Sequence, residues 1–144
     1  MTKAKFERVT RSDNNLYGPP RLLLCGFTAG AQPKFLTVLE MVGLAEVEVV
    51  WANHDHEKLT LRQLMDLENG SGWAVDSALP RAVIVAGITE RQLHSLMKVC
   101  RRSGMKEALW AALTPTSEKW PLSNLLAELA DERRQLAALK NKRS

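Results

Sequence analysis

The sequence predicts an α/β domain in which two diverged β-α-β-α repeats share one four-stranded sheet, either all parallel or ferredoxin-like. Three observations carry that prediction. Residues 22–27 and 82–88 are continuous apolar runs without alternation, the pattern of strands buried on both faces. Each run leads into apolar residues at helical spacing that stop at a glycine, Gly43 or Gly104. Sliding the chain on itself by 61 positions lays residues 22–67 on residues 83–128 without a gap, with nine identities.

The first strands match as Leu22-Leu23-Leu24 against Val83-Ile84-Val85, and Phe27 meets Ile88. Both follow a Pro-Arg pair, Pro20-Arg21 and Pro80-Arg81, although there the offset is 60. Gly26 and Gly87 then turn the backbone sharply, and Thr28 and Thr89 supply hydroxyls that can cap the next helix. Thr89 to Gln92 has the spacing of a capping box, and Leu93, Leu96, Met97 and Cys100 continue at helical period. Pro33 suits a first helical position, so the first helix starts later than its counterpart. After each terminating glycine, Leu44 and Met105 stand ready to pack back on Leu39 and Cys100. Residues 47–52 and 108–113 read as second strands. Leu-x-x-Leu at 61–64 and 122–125 starts a second helix in each half. In the second half it runs towards Lys140 and carries Leu125, Leu126, Leu129, Leu136 and Leu139. In the first it stops at the Asn69-Gly70-Ser71-Gly72 turn.

These elements divide the chain into a flexible basic tail at 1–19, a first repeat at 20–79, a second at 80–140 and a basic tail at 141–144, with one globular domain overall. At 144 residues the chain is long enough for one substantial core. Its net charge of +4 lies at the ends. Lys3, Lys5, Arg8, Arg11 and Arg21 outweigh Glu7 and Asp13. Arg133, Arg134, Lys140, Lys142 and Arg143 outweigh Asp131 and Glu132, which leaves the body between them slightly acidic. Nucleic acid is therefore disfavoured as a partner, apart from weak binding through the tails. No apolar run approaches membrane-spanning length, and the amino terminus lacks an apolar stretch behind its positive charges. Two isolated cysteines in apolar segments, Cys25 and Cys100, fit a reducing compartment. The expected location is the cytoplasm.

Residues 87–129 carry a more specific signature. Leu113-Thr114-Pro115-Thr116 is followed by Glu118-Lys119, then Trp120, then Leu125-Leu126-Ala127-Glu128-Leu129. This pattern resembles a bacterial and archaeal family known as a domain of unknown function, number 3783. The resemblance is close over the second half and loose over the first, and the first nineteen residues fall outside it. It implies a strand, a helix and a second strand leading into the Leu-Leu-x-Glu-Leu helix, with Trp120 as the anchor of that helix. It implies no reaction and no cofactor.

Candidate chemistry is sparse. The small-residue loop containing Gly26, Thr28 and Gly30, and its counterpart at Gly87 and Thr89, lie between strand and helix, where backbone N–H groups can hold an anion. Neither loop completes a nucleotide-binding fingerprint. If the copies share a ligand site, it is expected near the axis between them. His54 and His56 alternate with acidic neighbours and can supply two metal ligands, but the sequence offers no third, and the repeat places them in a strand-to-helix loop. Trp51 and Trp110 fall in predicted strands. No Ser, Cys or Thr has a base partner by motif, so no catalytic residue is assigned. Three readings follow: a non-catalytic binding or interaction module, working through the C-terminal helix on a protein partner or a second copy; a small-ligand or enzymatic site at the strand-to-helix loops; and weak nucleic-acid binding by the tails.

Overall fold

The computed structural model of the protein describes residues 14–105 and 107–143. Its elements are β1 (Arg21–Cys25), α1 (Gln32–Met41), β2 (Glu48–Ala52), a 3₁₀ turn (His54–His56), α2 (Leu61–Met65), β3 (Ala82–Ala86), α3 (Glu90–Arg102), β4 (Leu109–Ala112), a second 3₁₀ turn (Ser117–Lys119) and α4 (Leu122–Arg143). The order strand, helix, strand, 3₁₀ turn, helix thus occurs twice. No helix among the described residues is long and apolar enough to cross a membrane.

One open sheet has the order β2-β1-β3-β4. β1 pairs with β2 and β3 with β4 in parallel, while the central β1 and β3 are antiparallel. The sheet is therefore mixed. It is not all parallel, and it is not ferredoxin-like, because each βαβ unit pairs its own two strands directly instead of admitting another strand between them. Along β1 and β3 alternate side chains enter opposite faces. Leu23, Cys25, Ile84 and Ala86 pack with Leu61, Leu64, Leu122, Leu125 and Leu126 beneath α2 and α4. Leu22, Leu24, Val83 and Val85 pack with Phe35, Leu39, Leu96 and Cys100 beneath α1 and α3. Both faces are thus covered, which explains the unalternating apolar runs.

Reciprocal contacts join the halves. Leu23 faces Ile84 at the middle of the β1–β3 pair. Leu61 N–H donates to the Trp120 carbonyl (3.0 Å), Leu122 N–H donates to the Leu59 carbonyl (2.9 Å), and Thr60 bridges Pro121. Each contact links residues 61 positions apart or swaps such partners. The helix stops also agree with the sequence. Leu44 N–H returns to the Leu39 carbonyl at 2.8 Å and Met105 N–H to the Cys100 carbonyl at 3.0 Å.

The tail boundaries need correction. Residues 1–13 and 144 lie outside the described residues, but 14–19 are held by the turn that follows β3. Leu16 N–H donates to the Ile88 carbonyl (2.8 Å), Gly87 N–H to the Tyr17 carbonyl (3.1 Å), and Asn15 bridges Thr89. At the other end α4 continues through Arg143, so 141–143 belong to the helix.

The two sheet edges differ. Beside β2, Val49 N–H donates to Asn69 Oδ1, Gly70 N–H to the Val49 carbonyl, and Trp51 N–H to the Ser71 carbonyl, each at 2.8 Å. Among the described residues no segment runs in this way along the outer edge of β4. Only its start is capped, where the Arg133 guanidinium donates to the carbonyls of Glu107 (2.6 Å) and Ala108 (2.7 Å).

Candidate functional site

Because β1 and β3 are antiparallel, the loops after them lie at opposite ends of the sheet. Gly26, Thr28 and Gly30 are therefore not brought together with Gly87 and Thr89, and the expected ligand site shared near the axis is not formed. Both glycines instead admit the chain's own backbone. Gly26 (φ 79°) leaves room for Leu79 and Arg81, and a Cβ there would lie 2.5 Å from the Leu79 carbonyl oxygen. Gly87 (φ 69°) leaves room for residues 18–20 in the same manner. A side chain at either position meets main chain, which cannot move aside cheaply.

The two threonines have different roles. Thr89 caps α3 as expected. Its Oγ1 accepts from Gln92 N–H (3.0 Å), and Gln92 Oε1 accepts from Thr89 N–H (2.9 Å). Thr28 does not cap α1, whose N-cap is Ala31 with Pro33 in the first turn. Thr28 Oγ1 instead accepts Ala31 N–H at 3.2 Å and closes the turn before the helix. An acceptor from the chain itself already sits on this loop, since Ala29 N–H donates to Asp76 Oδ1 at 2.6 Å. Buried Gln32 ties the same covering segment down, accepting from Ala74 N–H (2.7 Å) and donating to the Gly72 and Val75 carbonyls (3.3 Å each). Gly30 faces open space.

His54 and His56 form a capped 3₁₀ turn. Asn53 Oδ1 accepts Asp55 N–H, and His56 Nδ1 accepts Asn53 N–H, both at 2.9 Å. His54 Nδ1 lies 2.8 Å from Glu57 Oε1. Among the described residues no group of three or more His, Cys, Asp or Glu is placed to hold a metal ion. Trp120 is half-buried against the core under α2 and α4, and its carbonyl receives Leu61 N–H. Nearby, Tyr17 Oη donates to Glu118 Oε1 (2.7 Å), and Arg62 reaches the other oxygen of the same carboxylate (3.4 Å). The hydrogen bond to Glu118 raises the Tyr17 pKa above its ordinary value.

The thiols are not poised for nucleophilic chemistry. Burial pushes Cys25 up to about 12 and Cys100 up to about 11, so both are protonated at neutral pH.

One concavity is not foreseen by the sequence. It opens between α1 and the C-terminal end of α3, with a volume of about 440 Å³. Phe27, Phe35, Val38 and Met105 supply apolar walls, and Arg81 and Lys34 supply positive charge. Behind it stands an aromatic cluster, with Phe27 and Phe35 edge to face at 5.1 Å and Trp51 at 5.6 Å from Phe27. The Arg81 guanidinium carbon lies 4.3 Å above the Phe27 ring, and Arg81 Nε donates to the Gly26 carbonyl (3.2 Å). Partial burial lowers the Arg81 pKa from its ordinary value. The available signal was the offset of 60 at Pro20-Arg21 and Pro80-Arg81. That one-residue shift sends Arg21 to Glu48 and the Leu67 carbonyl, and Arg81 to Phe27 and the cleft.

No curated protein and no solved structure matches the chain. One family does match part of it: residues 81–136, from Arg81 before β3 to Leu136 in α4, fit the sequence model of the family described as Domain of unknown function (DUF3783).

Proposed function

We propose that this protein is a non-catalytic binding module that associates with a second copy of itself through α4. The observation that supports this reading is the exposed end of that helix. Every residue from Asp131 to Lys140 is exposed, and Leu136 and Leu139 present 62% and 54% of their surface to solvent. They lie on the helix face that begins with buried Leu122 and Leu125 and half-buried Leu129, two turns beyond Leu129. The second copy is taken to run antiparallel, which lets the same two leucines meet in both copies. Two such helices in opposite directions place Leu136 of each copy against Leu139 of the other across a twofold contact.

The reading extends to origin and place. The two halves derive from one β-α-β-α unit, supported by the 61-residue offset and by the reciprocal contacts at Thr60 and Pro121. Two free, buried thiols favour a reducing compartment such as the cytoplasm, and the family resemblance favours a bacterial or archaeal source. Sedimentation equilibrium tests the association. The full chain should show a concentration-dependent mass of about twice the 16.1 kDa monomer, and Leu136→Glu with Leu139→Glu should weaken the dimer at least tenfold without changing the circular dichroism. A monomer at all concentrations, or an unaffected dimer, would overturn the reading.

A further inference from the structure

We propose that the cleft between α1 and α3 binds a small amphipathic organic anion, whose apolar body lies on Phe27, Phe35, Val38 and Met105 and whose carboxylate or phosphate head pairs with Arg81 and Lys34. The cleft lies at the carboxyl end of β1, the end of an open α/β sheet where ligands are usually held. Its volume of about 440 Å³ is ordinary for a small-molecule site, and its walls are mainly apolar with few charges.

Arg81 gives the site its selectivity. Stacking on Phe27 and the bond to the Gly26 carbonyl fix the guanidinium plane, yet no carboxylate of the described residues pairs with it. Arg21, the arginine of the other Pro-Arg pair, pairs with Glu48. The terminal nitrogens of Arg81 donate to no other group among the described residues and are left to offer a two-pronged donor surface, which suits a carboxylate or phosphate. Lys34 adds a second positive charge on α1. Under the 61-residue offset the same positions in the other half are Pro20 for Arg81 and Ser95 for Lys34. The site is therefore built once, in residues that differ between the halves, and it is independent of the α4 surface.

Titration calorimetry with decanoate, decyl phosphate and uncharged decanol tests the proposal on the full chain. Either anion should bind at least tenfold more tightly than decanol. Arg81→Gln should remove at least tenfold of the anion affinity and leave decanol unchanged, while Arg81→Lys should retain part of it. Lys34→Gln, on the exposed side of α1, should cost about threefold, and Thr37→Trp at the mouth should weaken all three probes. Thermal unfolding of each variant checks that the fold is intact, and Lys34→Gln keeps the test valid should Arg81→Gln fail to fold. Equal binding of decanoate and decanol, or anion binding unchanged in both Arg81→Gln and Lys34→Gln, would overturn the proposal.

Discussion

The half built on β1 and β2 is closed, whereas the half built on β3 and β4 is open. In the first, residues 69–71 cover the outer strand, α2 is only five residues long, and the arginine of the Pro-Arg pair is bound to Glu48. In the second, β4 has no such cover among the described residues, α4 is 22 residues long with 131–140 exposed, and Arg81 faces a cleft. The shared parts, strands and glycine turns, build the core. The parts that differ are the ones left facing solvent, and those are where binding is expected.

If the shared parts are equivalent, damage to them should be equally severe in both halves. Gly26→Ala and Gly87→Ala should each cost at least about 2 kcal/mol in denaturant unfolding, because both combine positive φ with backbone packed against the missing side chain. A benign substitution at one of them would break the equivalence. The next largest effect separates Trp120 from Leu59, which hold corresponding places beside the crossing of α2 and α4. Full burial of the indole would cost about 3–5 kcal/mol on deletion. Trp120 is only half-buried, so Trp120→Ala should cost about 2 kcal/mol and Leu59→Ala about 1 kcal/mol.

Cys25 provides a pH handle on the core of the first half. Its thiol is raised to about 12 by burial, above the ordinary 9.0, so between these values the unfolded chain releases a proton that the folded chain retains. Stability contributed by the neutral thiol is complete below pH 9 and should fall above it, at up to about 1.4 kcal/mol per pH unit. Cys25→Ala should flatten that alkaline slope in urea titrations, and an unchanged slope would place the effect elsewhere. The smallest effects sharpen the contrast between the caps. Thr89→Ala should cost about 1 kcal/mol, and Thr28→Ala less than about 0.5 kcal/mol, since only Thr89 caps a helix.

Much of this fold was legible in the sequence, because burial on both faces leaves a direct mark on composition. The runs at 22–27 and 82–88 revealed the central strands, and Gly43 and Gly104 the helix stops. The direction of β3 left no such mark. Antiparallel pairing of β1 with β3 depends on which edge the returning chain reaches, and a strand buried on both faces reads the same in either direction. Thr28 was misassigned as a helix cap because Ala29 to Ala31 form an extra turn, held by Asp76, a contact 47 residues away. The cleft left only the one-residue shift at Pro80-Arg81 as a mark, because Arg81, Phe27 and Met105 meet only after the sheet assembles. The apolar stripe of α4 was readable, although its exposed end could be separated from its buried beginning only in three dimensions.

The central claim, that the open half associates through α4 in an antiparallel pair, is tested most directly by cross-linking. Leu136→Cys and Leu139→Cys are made as separate variants; the native thiols at Cys25 and Cys100 are buried and should not compete. Antiparallel pairing predicts that mixing the two variants under oxidising conditions yields disulfide-linked heterodimers faster than either variant links to itself. Faster linkage of each variant to its own copy, or no cross-link at concentrations where the chain is dimeric, would contradict the account.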